Sequence, residues 1–307
     1  MKRLLLTGAR GFIGQCALRP ALEAGFEVHA IRSTTGGREP DATLPVTWHT
    51  ANLLGAGVAD DLVERIKPSH ILQTAWVTDH GAYWTSPANL DWLAFGARLA
   101  KAFAAHGGQR FVSVGTCAEY DWTGTGPLVE DTSPEEPETF YGKIKLCHHQ
   151  MLMAASQQLG FTAATGRIFF IYGPHEGPRR LIAYACRELA AGRRASFSSG
   201  QQRRDFLHVE DAARGLVALL DSSISGACNV SSGSADSLRD VVSHIAGISG
   251  CSDLVSFDAA RDRPGDPPLI LGDATRLHST GWVPLIPLQV GLSRTYAWWK
   301  TVGGSCA

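Results

Sequence analysis

The sequence predicts an α/β protein built on a doubly wound parallel sheet, with a smaller mixed region toward the C-terminus. Short apolar runs alternate with helical runs through the first half of the chain, and that rhythm implies a parallel sheet covered by helices on both faces. A glycine-rich turn joins the first strand to the first helix. The chain has 307 residues, 44% hydrophobic and 19% charged, enough for one large core or two domains sharing a cleft.

The elements follow in order. "RLLLTG" reads as the first strand and "GFIGQCALRPALEAG" as the first helix. "EVHAIR" is the second strand, "VTWHTANL" a candidate third, and "VADDLVERIKP" a helix. "HILQTAW" is the next strand, and "PANLDWLAFGARLAKAFAAHG" a long helix. "RFVSVGT" is followed by helical "TFYGKIKLCHHQMLMAASQQLG" and then by strand "FTAATGRIFF". Right-handed crossovers leave few ways to thread such a sheet, so the expected fold is of the Rossmann type. After about residue 173 Gly, Pro and Ser become frequent and the elements shorten. We therefore divide the chain into a dinucleotide-binding domain over 1–172 and a mainly substrate-binding region over 173–302, some of whose elements return to the first domain. The final "GGSCA" reads as a frayed tail.

Bulk charge excludes some functions. The net charge of −1 gives no broad field to attract nucleic acid or an anionic membrane. "GRR" and "QQRRD" are local basic clusters able to meet a phosphate ligand. Seven scattered cysteines without C-x-x-C spacing read as free thiols in a reducing compartment, and no pattern points to a metal. The opening three-leucine run is too short for a signal-peptide core, and no stretch nears the ~18 apolar residues of a membrane span. These features predict a soluble cytoplasmic protein.

"TGARGFIG" carries Gly8, Gly11 and Gly14 between a strand and a helix. Glycines there permit a tight turn and close backbone approach to a pyrophosphate, whose charge the helix N-terminus favours. The plain alternative is an ordinary strand-to-helix turn. A site for NAD places an acid at the end of the second strand, to hold the ribose 2′-hydroxyl. This strand ends "HAIRST", with Arg32 in that place and no acid until Glu39. Arginine suits a 2′-phosphate, so the sequence favours NADP(H) over NAD(H). Ser33 can add a hydrogen bond, and Arg10 stands close in the glycine turn. The plain alternative for Arg32 is a solvated surface residue.

"FYGKIK" places Tyr141 and Lys145 four residues apart, on one face of a helix. A free phenol has a pKa near ~10, and a nearby ammonium favours its ionised form. Tyr141 is thus a candidate for proton exchange. Its partner is expected at the carboxyl end of the preceding strand, where Thr116 stands. The plain alternative for Thr116 is a turn hydroxyl.

At this point the chain resembles the extended short-chain dehydrogenase/reductase family, most of whose members act on nucleotide sugars. The resemblance runs over roughly residues 2–300. "TGARGFIG" is similar to that family's cofactor loop, so Gly8, Arg10, Gly11, Phe12, Ile13 and Gly14 are expected around the cofactor. "ANL" resembles G-D-L, which puts Asn52 and Leu53 beside the adenine. "QTAW" resembles a cofactor-lining stretch, with Thr74, Ala75 and Trp76, and Asn89 matches an asparagine that opens the next helix. Thr116, Tyr141 and Lys145 match the catalytic set, with Tyr141 and Lys145 also against the cofactor. "GRIFFIYGP", "RRDFLHVEDAA", "NVSSG", "RPGDP" and "LHSTGWVP" follow in the family's order. The resemblance assigns Arg204 and Arg263 to the diphosphate or nucleoside of a sugar nucleotide, and Cys117 to the substrate side. His208 and Asp211 brace the loop. The His- and Trp-rich "AWVTDHGAYW" offers His80, Tyr83 and Trp84 as sugar contacts.

Three departures narrow the reaction. The family's 4,6-dehydratases carry Asp-Glu directly after the catalytic Thr, where this chain has Cys117 and Ala118. Alanine transfers no proton, so dehydration is not expected. Glu119 comes one residue late and, were the strand to continue, would point opposite to Ala118; it reads as a structural or solvated acid. Phe170 replaces a common Asn, and Ile144 a common Ser. The expected function is NADPH-dependent reduction of a keto group, most of all at C4, of a nucleotide-linked deoxysugar. A 4-epimerase and, from another class, a non-catalytic NADP sensor or scaffold are the alternatives. Two long helices near 87–106 and 140–159 resemble those that build a homodimer in the family.

Overall fold

The structure is a computed structural model that describes residues 2–33, 37–39, 41–79 and 81–303. Its strands are β1 (Lys2–Thr7), β2 (Phe26–Arg32), β3 (Thr47–Thr50), β4 (His70–Gln73), β5 (Arg110–Thr116), β6 (Thr162–Ile168), β7 (Phe170–Tyr172), β8 (Ala195–Phe197), β9 (Arg203–Arg204), β10 (Phe206–His208), β11 (Gly226–Val230), β12 (Asp236–Ser237), β13 (Val255–Phe257) and β14 (Leu269–Ile270). The helices are α1 (Phe12–Glu23), α2 (Val58–Ile66), α3 (Ala88–Ala105), α4 (Phe140–Leu159), α5 (Leu181–Ala190), α6 (Val209–Leu220), α7 (Leu238–Ser249), α8 (Thr275–His278) and α9 (Leu288–Gly303).

Seven strands make one sheet in the order β11-β6-β5-β4-β1-β2-β3, and every neighbouring pair in it is parallel. Parallel neighbours need crossovers, and helices supply them. Alternate residues of β1 face opposite sides of the sheet. Leu4 and Leu6 pack with Ala17, Leu18, Leu216 and Leu219 beneath α1 and α6. Leu5 packs on the other face with Leu62, Phe95, Leu99, Phe103 and Leu152, beneath α2, α3 and α4. Each such leucine or phenylalanine side chain contributes roughly 1.5–3 kcal/mol on burial. A third core joins α5, α7 and α9 through Ile182, Leu189, Val242, Ile245 and Leu292.

The doubly wound α/β class is therefore the one read from the sequence, with local differences. β3 occupies only four residues of its predicted stretch. "FTAATGRIFF" is divided: β6 ends at Ile168, and β7 leaves the main sheet to pair with β10. The Phe170 amide donates to the Asp205 carbonyl at 3.1 Å and holds that separate ladder. β5 stops at Thr116, and the chain turns through a 3-10 segment, Cys117–Glu119. The strand alternation assumed for Ala118 and Glu119 does not apply there. β11 comes from the C-terminal half and completes one edge of the main sheet. The six described cysteines are free, and no helix among the described residues is long and apolar enough to cross a membrane. The tail beyond Gly303 lies outside the described residues.

Candidate active site

The strand order reverses between β1 and β4. The turns that follow these two strands leave in opposite directions, and a crevice opens over the carboxyl ends of the sheet. It has a volume of about 830 Å³.

One end is built from the glycine turn. Gly8 has φ +67°, and a Cβ on Gly14 would stand 2.2 Å from the Gly8 carbonyl oxygen, so both positions need glycine. Helix α1 starts at Gly11 with no side-chain cap. Its positive end and first N–H groups are thus available to an anion. The Thr74 hydroxyl donates to the Thr7 carbonyl at 2.7 Å and fixes the turn after β4 against the glycine turn. Asn52, Leu53, Ser33 and Gly37 line the far end. This cradle fits the diphosphate and adenosine of a dinucleotide. The Arg10 guanidinium donates to the carbonyls of Arg38 at 2.5 Å and Gly37 at 2.9 Å, and pairs with Glu39 at 3.3 Å. It therefore holds 37–39 against the glycine turn. Arg32 is exposed, and its Nε donates to the Thr50 hydroxyl at 2.8 Å, on neighbouring β3. It is not among the lining residues of the crevice.

The middle holds Thr116, Tyr141 and Lys145. The Thr139 hydroxyl caps α4 by accepting from the Gly142 amide at 3.0 Å. A Cβ on Gly142 would stand 2.2 Å from the Ala118 carbonyl oxygen, so glycine lets the first turn of α4 press onto the 117–119 turn. Tyr141, in that first turn of α4, lines the crevice together with Thr116. Tyr141 is also edged by the rings of Tyr83 at 4.9 Å and Trp84 at 5.6 Å. Burial, then Tyr83 and Glu119, push its phenol above the ordinary value, while Thr116 and Arg180 pull it down.

The Lys145 ammonium donates to the Val114 carbonyl and lies 3.9 Å from the centroid of the Trp76 ring. Burial pushes it down to about 8, with Glu119 opposing. A cation over indole recovers part of the solvation lost on burial. Trp76 is held in turn: its indole N–H donates to Asn89 Oδ1 at 2.7 Å. Asn89 donates to the carbonyls of Tyr83 at 2.8 Å and Ser86 at 2.9 Å. One buried amide at the start of α3 thus ties the aromatic loop to the residue beneath the lysine. The site can take a carbonyl or hydroxyl between Thr116 and Tyr141 and move a proton there.

The positions after Thr116 hold no acid facing the crevice. Cys117 is buried, and its thiol is pushed up by burial foremost and by Asp205. Ala118 has nothing to ionise. Glu119 is fully buried. Its carboxylate accepts from the Thr116 amide at 2.9 Å and from Arg167 Nε at 2.7 Å. Arg167 also pairs with Glu135 and lies 4.4 Å from the Tyr120 ring centroid. Glu119 is a structural acid that braces the turn carrying Thr116.

Of the residues singled out in the sequence, Gly8, Arg10, Gly11, Phe12, Ile13, Gly14, Ser33, Asn52, Leu53, Thr74, Ala75, Trp76, Tyr83, Trp84, Thr116, Cys117, Tyr141 and Lys145 all line the crevice. Arg32, Arg204 and Arg263 do not, and His80 lies outside the described residues. Arg204 is buried and donates to the carbonyls of Arg203 and Pro267 and to Asp266. Its guanidinium packs 5.6 Å from the ring centroid of Phe170, a crevice-lining residue. Arg263 is exposed. Sequence reasoning missed Gln73, Trp122, Arg179 and Arg180, which also line the crevice. The signal for the arginines was "GPRRL", a basic pair opening a helix just after "YGP".

Comparison with known proteins agrees with this architecture. The profile of the NAD dependent epimerase/dehydratase family matches residues 4–231. A UDP-glucose 4-epimerase of Azospirillum brasilense is 29% identical over 329 residues, covering 97% of this chain and 92% of that one. A dTDP-glucose 4,6-dehydratase of Streptomyces griseus is 27% identical over 316 residues, covering 96% and 93%. The crystal structure of UDP-glucose 4-epimerase from Thermus thermophilus in complex with NAD superposes with a TM-score of 0.86, at 23% identity, over 97% of this chain and 99% of the other.

Proposed function

The chain belongs to the NAD dependent epimerase/dehydratase family, and we propose that it is a reductase of a keto group, at C4, of a nucleotide-linked deoxysugar. The observation that carries this reading is the turn after Thr116, where Cys117 and Ala118 offer no acid–base pair and Glu119 is committed to Arg167. Without such a pair the site lacks the means to expel water, so redox chemistry at the sugar carbon remains.

NADPH, when bound in the glycine-turn cradle, supplies the hydride. Thr116 orients the sugar oxygen by hydrogen bonding, and Tyr141 gives that oxygen its proton. The high pKa of the buried phenol keeps the proton in place until an alkoxide forms. Lys145 keeps positive charge beside the reacting oxygen. Tyr83 and Trp84 exclude water from the phenol. A homodimer through α3 and α4 belongs to the same reading; their outer faces expose Leu90 and Leu159.

One observation favours a second reading. Arg32 turns to Thr50 rather than into the crevice, which removes the main signal for a 2′-phosphate. NAD held through the catalytic cycle would then serve 4-epimerisation. The test is incubation with NADPH or NADH and 4-keto-6-deoxyhexoses carried on GDP, dTDP and CDP, with product sugars identified. A reductase consumes one NADPH per product, and Tyr141→Phe abolishes turnover while leaving cofactor affinity intact. An epimerase interconverts 4-epimers without net consumption. An NADPH preference that Arg32→Ala leaves unchanged removes Arg32 from cofactor choice. Failure of every sugar, with a partner protein responding to NADPH, would install the sensor reading.

A further inference from the structure

A row of polar side chains runs from the crevice into the protein beneath α4. Gln73 on β4, Ser113 on β5 and Thr165 on β6 stand in register across the sheet. Their face is the one that Ile71, Phe111 and Ala163, two residues earlier in each strand, fill with apolar packing against α3 and α4. All three polar residues are buried, and burying a hydroxyl or amide there costs free energy unless it is hydrogen-bonded. The Ser113 hydroxyl lies 3.0 Å from the Thr165 hydroxyl, which lies 2.9 Å from His149 Nδ1. The contacts join end to end, and each hydroxyl can accept from one neighbour while donating to the other. At the inner end, Gln73 and Ser113 line the crevice together with Lys145. Neither amide atom of Gln73 has a hydrogen-bond partner among the described residues. At the outer end, His149 stands one turn after Lys145 on α4 and keeps 8% of its surface exposed. The charges facing it are Glu119 from the 3-10 turn, Arg167 from β6 and Glu135, with His148 beside it on α4. Burial foremost, and Arg167, hold the imidazole below its ordinary value, while Glu119 and Glu135 oppose them.

We propose that Ser113, Thr165 and His149 form a proton relay that carries a proton from solvent to Lys145 and Tyr141 in each turnover. This rests on reading the protein as a reductase. Reduction of a ketone consumes one proton with each hydride, so the proton that Tyr141 gives away has to be replaced. An epimerisation returns the proton it takes and needs no such supply. The steps balance. The phenolate of Tyr141 takes a proton from the Lys145 ammonium, which burial has already brought down to about 8. Ser113 recharges the lysine through a water held by the Gln73 amide. Ser113 takes a proton from Thr165, and Thr165 takes one from His149 Nδ1. His149 takes one from solvent at Nε2. Only O–H and N–H bonds form and break along the row, and no net charge is left inside.

Two measurements test the relay. The first needs neither cofactor nor substrate: nitrogen NMR of histidine-labelled protein from pH 4 to 9. His149 is expected to titrate with a midpoint below 6.5, and Thr165→Val is expected to move its Nδ1 resonance. An imidazole that takes up no proton across that range overturns the relay. The second is kcat in light and heavy water with a 4-keto-6-deoxyhexose nucleotide and NADPH. The variants are Thr165→Val, which keeps the shape without the hydroxyl, Thr165→Ser, which keeps the hydroxyl, and His149→Gln, which cannot carry the proton. Circular dichroism confirms that each is folded. Thr165→Val and His149→Gln are expected to lower kcat on the order of 10- to 100-fold. Their solvent isotope effect should rise, their Kd for NADPH should stay at the wild-type value, and Thr165→Ser should recover the rate. A merely structural role would lower Tm without moving the isotope effect, and that result overturns the relay. So does a Thr165→Val enzyme with wild-type kcat and isotope effect, which leaves the reduction standing. Should Thr165→Val not fold, Ser113→Ala cuts the same row and is read in the same way. Wild-type protein that reduces no keto sugar, or that interconverts 4-epimers without net NADPH consumption, overturns the reduction and the relay together.

Discussion

Replacing Glu119 with alanine removes two restraints from the turn that carries Thr116. One is the carboxylate acceptor for the Thr116 amide at 2.9 Å. The other is the partner of Arg167 at 2.7 Å, in a pair whose side chains are both 0% exposed. Breaking a buried ion pair from one side costs about 3–5 kcal/mol, because a charge is left without its partner. Arg167 keeps Glu135, whose side chain is 32% exposed, so the lower end, about 3 kcal/mol, is expected. In a chain of this size that corresponds to a fall in Tm of roughly 6–12 °C. Glu119→Gln retains an oxygen for the Thr116 amide, but its NH2 group is a donor that cannot accept from Arg167 Nε, so it loses the charge and that hydrogen bond. It should cost about 2 kcal/mol. Urea unfolding followed by circular dichroism, with a thermal scan, gives the stability ranking, and kcat on the same samples gives the function. A structural acid predicts stability falling from wild type to Gln to Ala, with Glu119→Gln still turning over substrate. Glu119→Ala within 1 kcal/mol of wild type would refute the bracing role. A stable but inactive Glu119→Gln would make Glu119 a proton-transfer group and reopen dehydration.

Two further outcomes concern titration. Trp76→Leu removes the ring 3.9 Å from the Lys145 ammonium, a contact worth about 1–2 kcal/mol in a desolvated site. The lysine, already near 8, should fall by roughly one further pH unit, with Trp76→Phe in between. Competitive amine labelling of Lys145 from pH 6 to 10 measures this, and an unshifted midpoint in Trp76→Leu counts against the contact. For Glu176, burial raises the carboxyl from 4.5 to about 8. Between those values the folded protein keeps a proton that the unfolded chain gives up, so stability declines as pH rises through the window. Glu176→Gln should therefore gain Tm relative to wild type progressively from pH 4.5 to 8 and no further outside it. A pH-independent difference would show that Glu176 titrates normally.

The residues legible in the sequence are those whose role is set by near neighbours. Gly8, Gly11 and Gly14 follow from a strand meeting a helix within eight residues, and Tyr141 and Lys145 share a face because helices repeat every ~3.6 residues. Thr116 follows from where a buried strand ends. Glu119 reads in the sequence as a structural or solvated acid that would point opposite to Ala118 were the strand to continue; instead the reciprocal bonds of Thr116 and Glu119 form a 3-10 turn there, and the acid is buried.

The arginines mark the boundary. Sequence spacing assigns Arg32 to a cofactor phosphate, and family resemblance assigns Arg204 and Arg263 to the substrate. Yet Arg32 bonds to Thr50 across the sheet, and Arg204 bonds to Asp266, 62 residues away. Arg179 and Arg180, two unremarked basic residues before a helix, face the crevice. A long cationic side chain goes wherever its charge is best solvated or paired, and those partners are brought together only by folding. The sequence by itself thus determined the parallel sheet, the glycine turn and the spacing of the hydroxyl, phenol and ammonium. Only the tertiary structure decided which positive charges are spent inside the protein and which line the crevice, because pairing depends on distance in space.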